Sequence, residues 1–253
     1  MNGKHPVIDN QPVIIPAKTC SLQARLSAPA QLDSLALILE SASTKRRDIR
    51  HLGQALNRFG IASLSLDLLE GCDADNGISP AWQHFNLPLL SNRLRHVIDW
   101  IEEEPSLTGL PIAIVASESA AAAALVCAAR QPHRIQSLFL YDSRPDLAGS
   151  HLARVRAPIL FAQGENDHAT RHTLQRTISR LECSFRNAIF AGTGRLTSSK
   201  MAWQALMELA CNWLSVQSRH PPPPAPVCRN PLIMLGPQTS AREKLGYSGD
   251  IAR

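Results

Sequence analysis

Apolar positions along the chain follow two spacings that are typical of two kinds of secondary structure. Short continuous apolar runs predict buried strands, and apolar residues at every third or fourth position predict amphipathic helices. The predicted strands are residues 13–16, 21–26, 34–39, 61–66, 111–115, 136–141, 158–162 and 186–190. The predicted helices are residues 48–59, 89–103, 119–129, 170–181 and 198–216. Strands that alternate with helices predict right-handed β–α–β units and a mostly parallel, doubly wound sheet flanked by helices.

The composition changes near the end of the chain. Residues 1–216 carry the alternating pattern and are predicted to form one α/β domain. Residues 217–253 contain a run of five prolines and one alanine after His220, which favours an extended polyproline II conformation. We expect a proline-rich linker and tail there. This tail is either disordered or docked through the apolar patch at residues 232–235, on the domain or on a partner.

Charge and cysteine content narrow the classes of function. The chain has a net charge of +5 but only 5% aromatic residues, and the basic run at residues 45–50 has no aromatic residues within it. We therefore take that run as a solvated helix face and keep nucleic-acid binding as a third, weaker hypothesis. The start of the chain has no apolar signal-peptide core, and no apolar stretch is long enough to span a membrane. The six cysteines show no metal-ligand spacing. We expect a cytoplasmic protein with reduced thiols and without metal or cofactor.

The segment around Ser117 is the sharpest local feature. It reads IAIVASESAAAAALVCAA, a strand followed by a turn and a helix of small residues. A serine on such a turn is exposed at the positive end of the following helix, where it serves as a nucleophile in some enzymes. The alternative is that Ser117 is only a small turn residue.

The chain resembles the dienelactone-hydrolase-like branch of the α/β-hydrolases. The resemblance runs from about Val13 to Leu214 and rests on three segments: LGQALNRFGIASLSLDLL, ASESAAAAALVCAARQPHRIQSLFLYDSRPDLAG and LARVRAPILFAQGENDH. It implies an α/β-hydrolase fold and an ancestry among ester and lactone hydrolases.

The family positions transfer onto this chain residue by residue. The nucleophile falls on Ser117, but Val115 and Ser119 stand where the family has glycines, and the branched Val115 is at a crowded place. The acid falls on Asp167, and the place of the catalytic histidine is taken by Arg195. The loop that would hold the oxyanion begins with Glu40 and Ser41 rather than with histidine and glycine.

These departures predict weak or absent catalysis. Histidine activates a serine because its pKa lies near neutrality, whereas arginine stays protonated and cannot accept the proton. A carboxylate at Glu40 would disfavour a negative transition state. Asp167 either orients a base or forms an ion pair with Arg195, which we favour. His168, directly after Asp167, is the only histidine near these loops that could replace the base.

Two functions follow from this sequence. The first is a catalytically impaired α/β-hydrolase homologue that binds a small ligand or a protein. Its pocket would be lined by Glu40, Ser41, Glu118, Arg144 and Arg195, although a loop-bracing contact with an aspartate is the favoured role of Arg144. A small anion or an ester is the expected ligand, and residues 217–253 are the expected protein contact. The second is an active serine esterase or lactonase that uses Ser117 and Asp167 with a non-standard base such as His168.

Overall fold

The computed structural model describes residues 6–17, 20–41, 44–70, 83–219 and 232–235. Most of the proline-rich segment lies outside these residues. The described strands are β1 (Ile8–Ala17), β2 (Cys20–Ala28), β3 (Ser34–Leu39), β4 (Ile61–Leu66), β5 (Ile112–Ser117), β6 (Ile135–Ser143), β7 (Ile159–Gly164), β8 (Phe185–Phe190) and β9 (Leu232–Leu235). The described helices are α1 (Arg46–Asn57), α2 (Leu87–Glu103), α3 (Glu118–Arg130), α4 (His168–Ile178) and α5 (Lys200–Arg219).

The strands of these described residues form one sheet in the order β1-β2-β4-β3-β5-β6-β7-β8-β9. The pairs β1–β2 and β2–β4 are antiparallel, and all the other pairs are parallel. Strands β3, β5 and β7 are buried along their whole length, as expected when helices cover both faces of a parallel sheet. The predicted fold class is thus confirmed.

Two clusters of buried residues lie on the two faces of the sheet. One contains the apolar faces of α2 and α3, including the alanine run 120–124. The other contains the apolar faces of α1 and α5, among them Leu52, Leu56, Trp203 and Leu206. The alanine side chains of α3 are small, so that helix can lie close against its neighbours. Successive side chains of central strands such as β3 and β5 alternate between the two clusters, which explains the continuous apolar runs in the sequence.

The structure extends several predicted elements. Strand β1 begins at Ile8 rather than at residue 13, and α5 continues to Arg219, past the predicted domain boundary at 216. The 3₁₀ segment Pro145–Arg154 was not predicted. The apolar patch at 232–235 docks on the domain as β9, parallel to β8. Cys127 and Cys211 are free thiols, whereas Cys20 is disulfide-bonded, so the expectation of reduced thiols is wrong at Cys20.

Among the helices of the described ranges, none has both the length and the apolar character that crossing a membrane requires.

Candidate functional site

The turn between β5 and α3 contains a strained residue, and that residue is Glu118. Its φ is +50°, in the left-handed region, whereas Ser117 has an extended backbone with φ −131°. A side chain in the left-handed region costs about 1 kcal/mol or more, so such residues persist where the surrounding structure holds them. The strained turn, called the elbow below, is therefore at Glu118, one residue after Ser117, which the sequence analysis placed on this turn.

The shifted elbow changes which residues flank it. The positions two before and two after Glu118 are Ala116 and Ala120, both small. Val115, which sequence analysis placed at a crowded position, instead lies inside β5 and is 1% exposed. The backbone strain of the turn therefore falls at Glu118, three residues after Val115. Because small residues surround the turn, the sequence allows either Ser117 or Glu118 as the strained residue. The backbone conformation distinguishes the two.

Ser117 points below the turn, into a cluster of hydroxyl groups. The residue is fully buried, and its hydroxyl donates to Ser41 Oγ at 3.0 Å. The hydroxyls of Thr44 and Tyr141 lie 3.1 Å apart, and Tyr141 also bonds Ser117. Burial raises the pKa of Tyr141 to about 12, so it stays neutral. These hydrogen bonds connect Ser41 and Thr44, which follow β3, to the end of β5. They leave the Ser117 hydroxyl inside the fold.

Glu118 and Arg195 form an ion pair across the turn. Arg195 Nη2 donates to Glu118 Oε1, and the two side chains are 46% and 31% exposed. Burial acts to lower the pKa of Arg195, but the hydrogen bond and charge of Glu118 raise it overall. Arg195 therefore remains a cation. The predicted ion pair between Asp167 and Arg195 is wrong, because the Arg195 guanidinium pairs with Glu118.

Asp167 instead caps helix α4. Its carboxylate accepts from Thr170 N at 3.1 Å and from Thr170 Oγ1 at 2.8 Å. This capping satisfies a free amide of the first turn and places a negative charge at the positive end of the helix. Asp167 adds only a longer-range attraction to Arg195.

Close backbone packing fixes the loop that carries Arg195. A Cβ on Gly164 would lie 1.7 Å from the carbonyl oxygen of Gly194, so only glycine fits at the end of β7. Asn166 N donates to Thr193 O at 2.7 Å, and Gly192 N donates to Glu165 Oε2 at 2.8 Å. The loops after β7 and β8 therefore hold each other, and the Arg195 guanidinium is presented to Glu118 from a fixed position.

Asp142, at the end of β6, is a site residue that sequence analysis did not assign. It is 3% exposed and has a φ of +41°. Its Oδ2 accepts from Leu196 N at 2.9 Å, while Oδ1 has no hydrogen-bond partner among the described residues. Burial raises the pKa of Asp142 to about 6, against the opposing effects of backbone amides and of Arg195. An aspartate directly after an apolar strand was the available sequence signal.

These side chains line one cleft of about 380 Å³ at the carboxyl ends of the strands. Its lining residues are His84, Phe85, Glu118, Ser119, Asp142, Arg144, Asp167, Ala169, Thr170, Thr173 and Arg195. Of the predicted site residues, the structure brings together Glu118, Arg144, Asp167 and Arg195. Ser117 and Ser41, which are hydrogen-bonded to each other, are not among the residues that line it.

Arg144 has the bracing role that sequence analysis favoured. Its Nε and Nη2 donate to the two carboxylate oxygens of Asp146 at 2.9 and 2.8 Å. This contact raises the pKa of Arg144 and lowers that of Asp146. The guanidinium lines the cleft, but its charge is already compensated within the loop.

Glu40 lies in a different groove. That groove, of about 540 Å³, runs between the β1–β2 hairpin and the start of α1 and includes Arg46, Arg47 and Arg50. Glu40 Oε2 is 4.0 Å from Arg46 Nε, and burial raises the pKa of Glu40. The expectation that Glu40 lines the same pocket as Glu118 is therefore corrected, because the end of β3 directs it toward the hairpin.

The two histidines closest to the site occupy unequal positions. His168 is exposed at the start of α4 and is not among the cleft-lining residues, so the structure gives no contact that would make it a base for Ser117. His84 does line the cleft, next to Phe85, which is 58% exposed. Sequence analysis missed His84 because it precedes α2 in a segment without any periodic pattern.

Comparisons with known proteins agree with this fold. No family model matches the chain. Two curated relatives, from two strains of Mycobacterium tuberculosis, are provisionally described as phosphoribosyl transferases and are 26% identical over 210 residues. The match covers 82% of this chain but 46% of each relative, so the chain spans about half the length of those proteins.

Solved structures of hydrolases superpose over most of the chain. A dienelactone hydrolase from Anabaena variabilis is 26% identical, with a TM-score of 0.74 over 81% of this chain and 97% of that one. Est1E from Butyrivibrio proteoclasticus, 13% identical, has a TM-score of 0.66 over 83% and 99%. A cold-adapted esterase from an Arctic metagenomic library, 14% identical, has a TM-score of 0.67 over 81% and 92%.

The chain is thus an α/β-hydrolase-fold protein. Within that class its fold is dienelactone-hydrolase-like, as the sequence resemblance implied. Glu118 lies at the strained turn after β5, and Arg195 lies in the loop after β8.

Proposed function

We propose that this chain is a non-catalytic α/β-hydrolase homologue whose former catalytic cleft binds a small ligand. One observation carries the proposal: the strained elbow residue is Glu118, and its carboxylate is paired with Arg195. A serine–histidine pair transfers a proton during acyl transfer, whereas a glutamate–arginine pair has no proton to transfer at working pH.

The buried position of Ser117 also argues against a serine esterase. Its hydroxyl is turned toward Ser41 and Tyr141, and the residue has no exposed surface from which to attack an ester. The hydrogen-bond partners of the Ser117 hydroxyl are Ser41 and Tyr141, and neither is an imidazole. A general base must lie within hydrogen-bond reach of the proton that it removes. The esterase alternative would therefore require the turn to rebuild.

Glu118 itself is a poor candidate for a nucleophile. Carboxylates can attack carbon in some hydrolases, but the intermediate must then be released by an activated water. Pairing with Arg195 spreads the charge of Glu118 and lowers its reactivity. Asp167, the remaining family residue, is occupied in capping α4.

Phosphoribosyl transfer is not part of the proposal. The curated relatives that bear that description are about twice as long as their matched part, which covers 46% of each. Our proposal depends on the Glu118–Arg195 pair within the hydrolase fold. We therefore assign no property of the longer proteins to this chain.

A protein contact through residues 217–253 is a second part of the proposal, and β9 affects how it is tested. Because Leu232–Leu235 pairs with β8, removing everything after residue 216 would also uncover that edge of the sheet. A comparison of the full chain with one ending at Leu235 keeps the sheet intact. A partner that needs the tail will be lost only from the shorter chain in a binding assay.

Ester hydrolysis tests the first part directly. We expect the purified chain to hydrolyse p-nitrophenyl acetate no faster than buffer, and to resist labelling by a fluorophosphonate probe. The Ser117→Ala variant is the matched control and should behave identically. Hydrolysis that exceeds the buffer rate and disappears in Ser117→Ala would overturn the proposal.

A further inference from the structure

We propose that the groove between the β1–β2 hairpin and the start of α1 binds a small organic anion, whose carboxylate or phosphate group is held by Arg25 and Arg47. This groove and the cleft at the carboxyl ends of the strands share no lining residue. The inference therefore does not depend on the function proposed for that cleft. Three features carry it: two guanidinium groups without partners, an apolar wall beside them, and the pairing of the other charges.

The groove forms where helices stop covering the sheet. Buried and exposed side chains alternate along β2, and Gln23 and Arg25 are on its exposed face. Ile14 lies opposite Gln23 and Pro12 lies opposite Arg25, so these four side chains share one face of the hairpin. The buried side chains of α1 cluster with those of β3 and β4 instead. The start of α1 and the uncovered hairpin thus enclose a groove of about 540 Å³.

Arg25 and Arg47 supply the unpaired positive charges of this groove. Both residues are exposed and line it, Arg25 from β2 and Arg47 from the first turn of α1. Among the residues that the structure describes, neither guanidinium has an ion pair or a hydrogen bond. A guanidinium presents its donors in a rigid planar fork that matches two oxygens of a carboxylate or phosphate. Two such groups, from different elements of one groove, can hold one oxyanion between them.

The other charges of the groove already have partners. Arg46 Nη2 pairs with Glu70 Oε1, and Arg46 Nε lies 4.0 Å from Glu40 Oε2. Arg50 Nη2 pairs with Asp9 Oδ2 at 3.1 Å. The lining contains four guanidinium groups and two carboxylates, so the groove has an excess of positive charge. Such an excess attracts anions and repels cations.

An apolar wall lies beside Arg25. Pro12, Val13 and Ile14 line the groove, and Ile14 is 71% exposed although it is a large apolar residue. Covering such a side chain with an alkyl or aromatic group removes apolar surface from water and favours binding. An inorganic anion would contact only the guanidinium groups, whereas an organic anion would use both parts of the groove.

A nucleic acid fits the same groove less well. Of the basic residues at 45–50, Arg46 and Arg50 are paired with carboxylates, which reduces the charge open to a polyanion. Nucleic-acid binding needs several phosphate contacts, and single strands also need aromatic side chains for stacking. No aromatic residue lines the groove. Two unpaired guanidinium groups and a short apolar wall favour a small ligand with one charged group.

Four probes test the ligand class. Phenyl phosphate, benzoate, benzyl alcohol and inorganic phosphate can each be titrated into the isotope-labelled full chain by NMR. We expect the two organic anions to bind more tightly than the others, because benzyl alcohol lacks the charge and inorganic phosphate lacks the apolar group. They should shift the amide signals of Gln23 and Arg25 in the groove, and leave that of Leu196, which donates to Asp142 in the cleft, unchanged. The tighter of the two distinguishes a phosphate from a carboxylate ligand.

Substitutions of exposed side chains test the individual residues. Arg25→Gln and Arg47→Gln should each weaken the binding of phenyl phosphate by roughly threefold or more, because each removes a charge-assisted contact at an exposed position. Ile14→Ser should weaken phenyl phosphate and leave inorganic phosphate unchanged. Arg176→Gln is the matched control, because it removes an exposed arginine on α4, outside the groove, and should change nothing.

Several results would contradict the inference. Benzyl alcohol or inorganic phosphate binding as tightly as phenyl phosphate overturns it, and so does a shift of Leu196 instead of Gln23. A loss of affinity in Arg176→Gln as large as in Arg25→Gln, or tighter binding of a single-stranded oligonucleotide through the same two arginines, overturns it too. Failure of both organic anions to bind at millimolar concentration has the same consequence. None of these results bears on ester hydrolysis, which tests the proposed function separately.

Discussion

Replacing Asp142 with asparagine should stabilise the fold at neutral pH. The side chain is 3% exposed; the Thr197 amide bonds its carboxylate, and Oδ2 accepts a hydrogen bond from Leu196 N. Asparagine keeps an acceptor oxygen for that amide, occupies nearly the same volume and carries no charge. Burial is the main cause of the raised pKa of Asp142, so the substitution removes the penalty for burying a charge.

The sign and size of the effect follow from the pKa of Asp142. Folding raises it from an ordinary value of 3.8 to about 6. Below the lower value the carboxyl is protonated in both states, and the wild type carries no penalty. As the pH rises through the higher value, stability is lost, to a limit of about 3 kcal/mol for a shift of about two pH units. Asp142→Asn should therefore match the wild type near pH 4 and exceed its free energy of unfolding by up to that amount at neutral pH.

Urea denaturation at several values between about pH 4 and about pH 7.5 measures this difference. Asp146→Asn is the matched control with the opposite sign. The hydrogen bond from Arg144 lowers the pKa of Asp146, so its contribution is present at neutral pH and disappears as the pH falls through that lowered value. Asp146→Asn should destabilise the fold at neutral pH. A difference between Asp142→Asn and wild type that is independent of pH, or negative at pH 7.5, would refute the reasoning.

Three other predictions concern the site and the sheet. Gly164→Ala places a Cβ against the backbone of Thr193 and Gly194 and should lower the free energy of unfolding by about 2–3 kcal/mol. Gly194→Ala, whose Cβ meets nothing within 4 Å, should leave it almost unchanged in the same denaturation assay. Leu235→Ala should lower the free energy of unfolding by about 2 kcal/mol or more, because Leu235 is 5% exposed. Met234→Ala should lower it less, because Met234 is 42% exposed. Equal losses of stability would contradict the placement of β9. Arg195→His alone should not create ester hydrolysis, since Glu118 still occupies the elbow, and turnover of p-nitrophenyl acetate by that variant would show otherwise.

Most of the fold could be predicted because burial on both faces leaves continuous apolar runs. Strands such as β3 and β5 have no exposed positions, so their sequences stand out from the amphipathic helices between them. The start of β1 could not be predicted in the same way. Ile15 is the one fully buried residue of its ten, and the neighbouring Ile14 is 71% exposed. Hydrogen bonding with β2, rather than residue composition, therefore defines β1 as a strand.

The site was harder to predict because it depends on backbone conformation and on contacts distant in sequence. Sequence analysis named Glu118, Arg144, Asp167 and Arg195, which the cleft brings together. It assigned the turn position to Ser117, because small residues lie two positions before and after Glu118 as well as near Ser117. The partner of Arg195 was also misassigned, since the choice between Glu118 and Asp167 is made by the closely packed loop after β8.

The two replacements at the elbow and at the base position depend on each other. Glu118 alone would add a third uncompensated carboxylate beside Asp142 and Asp167, and Arg195 alone would project a guanidinium over a neutral turn. Paired, they neutralise each other next to the positive end of α3, which further favours a carboxylate at its first residue. A change at one position therefore leaves an unmatched charge at the other. The same pairing compensates the charge that would make Arg195 a site for an anion.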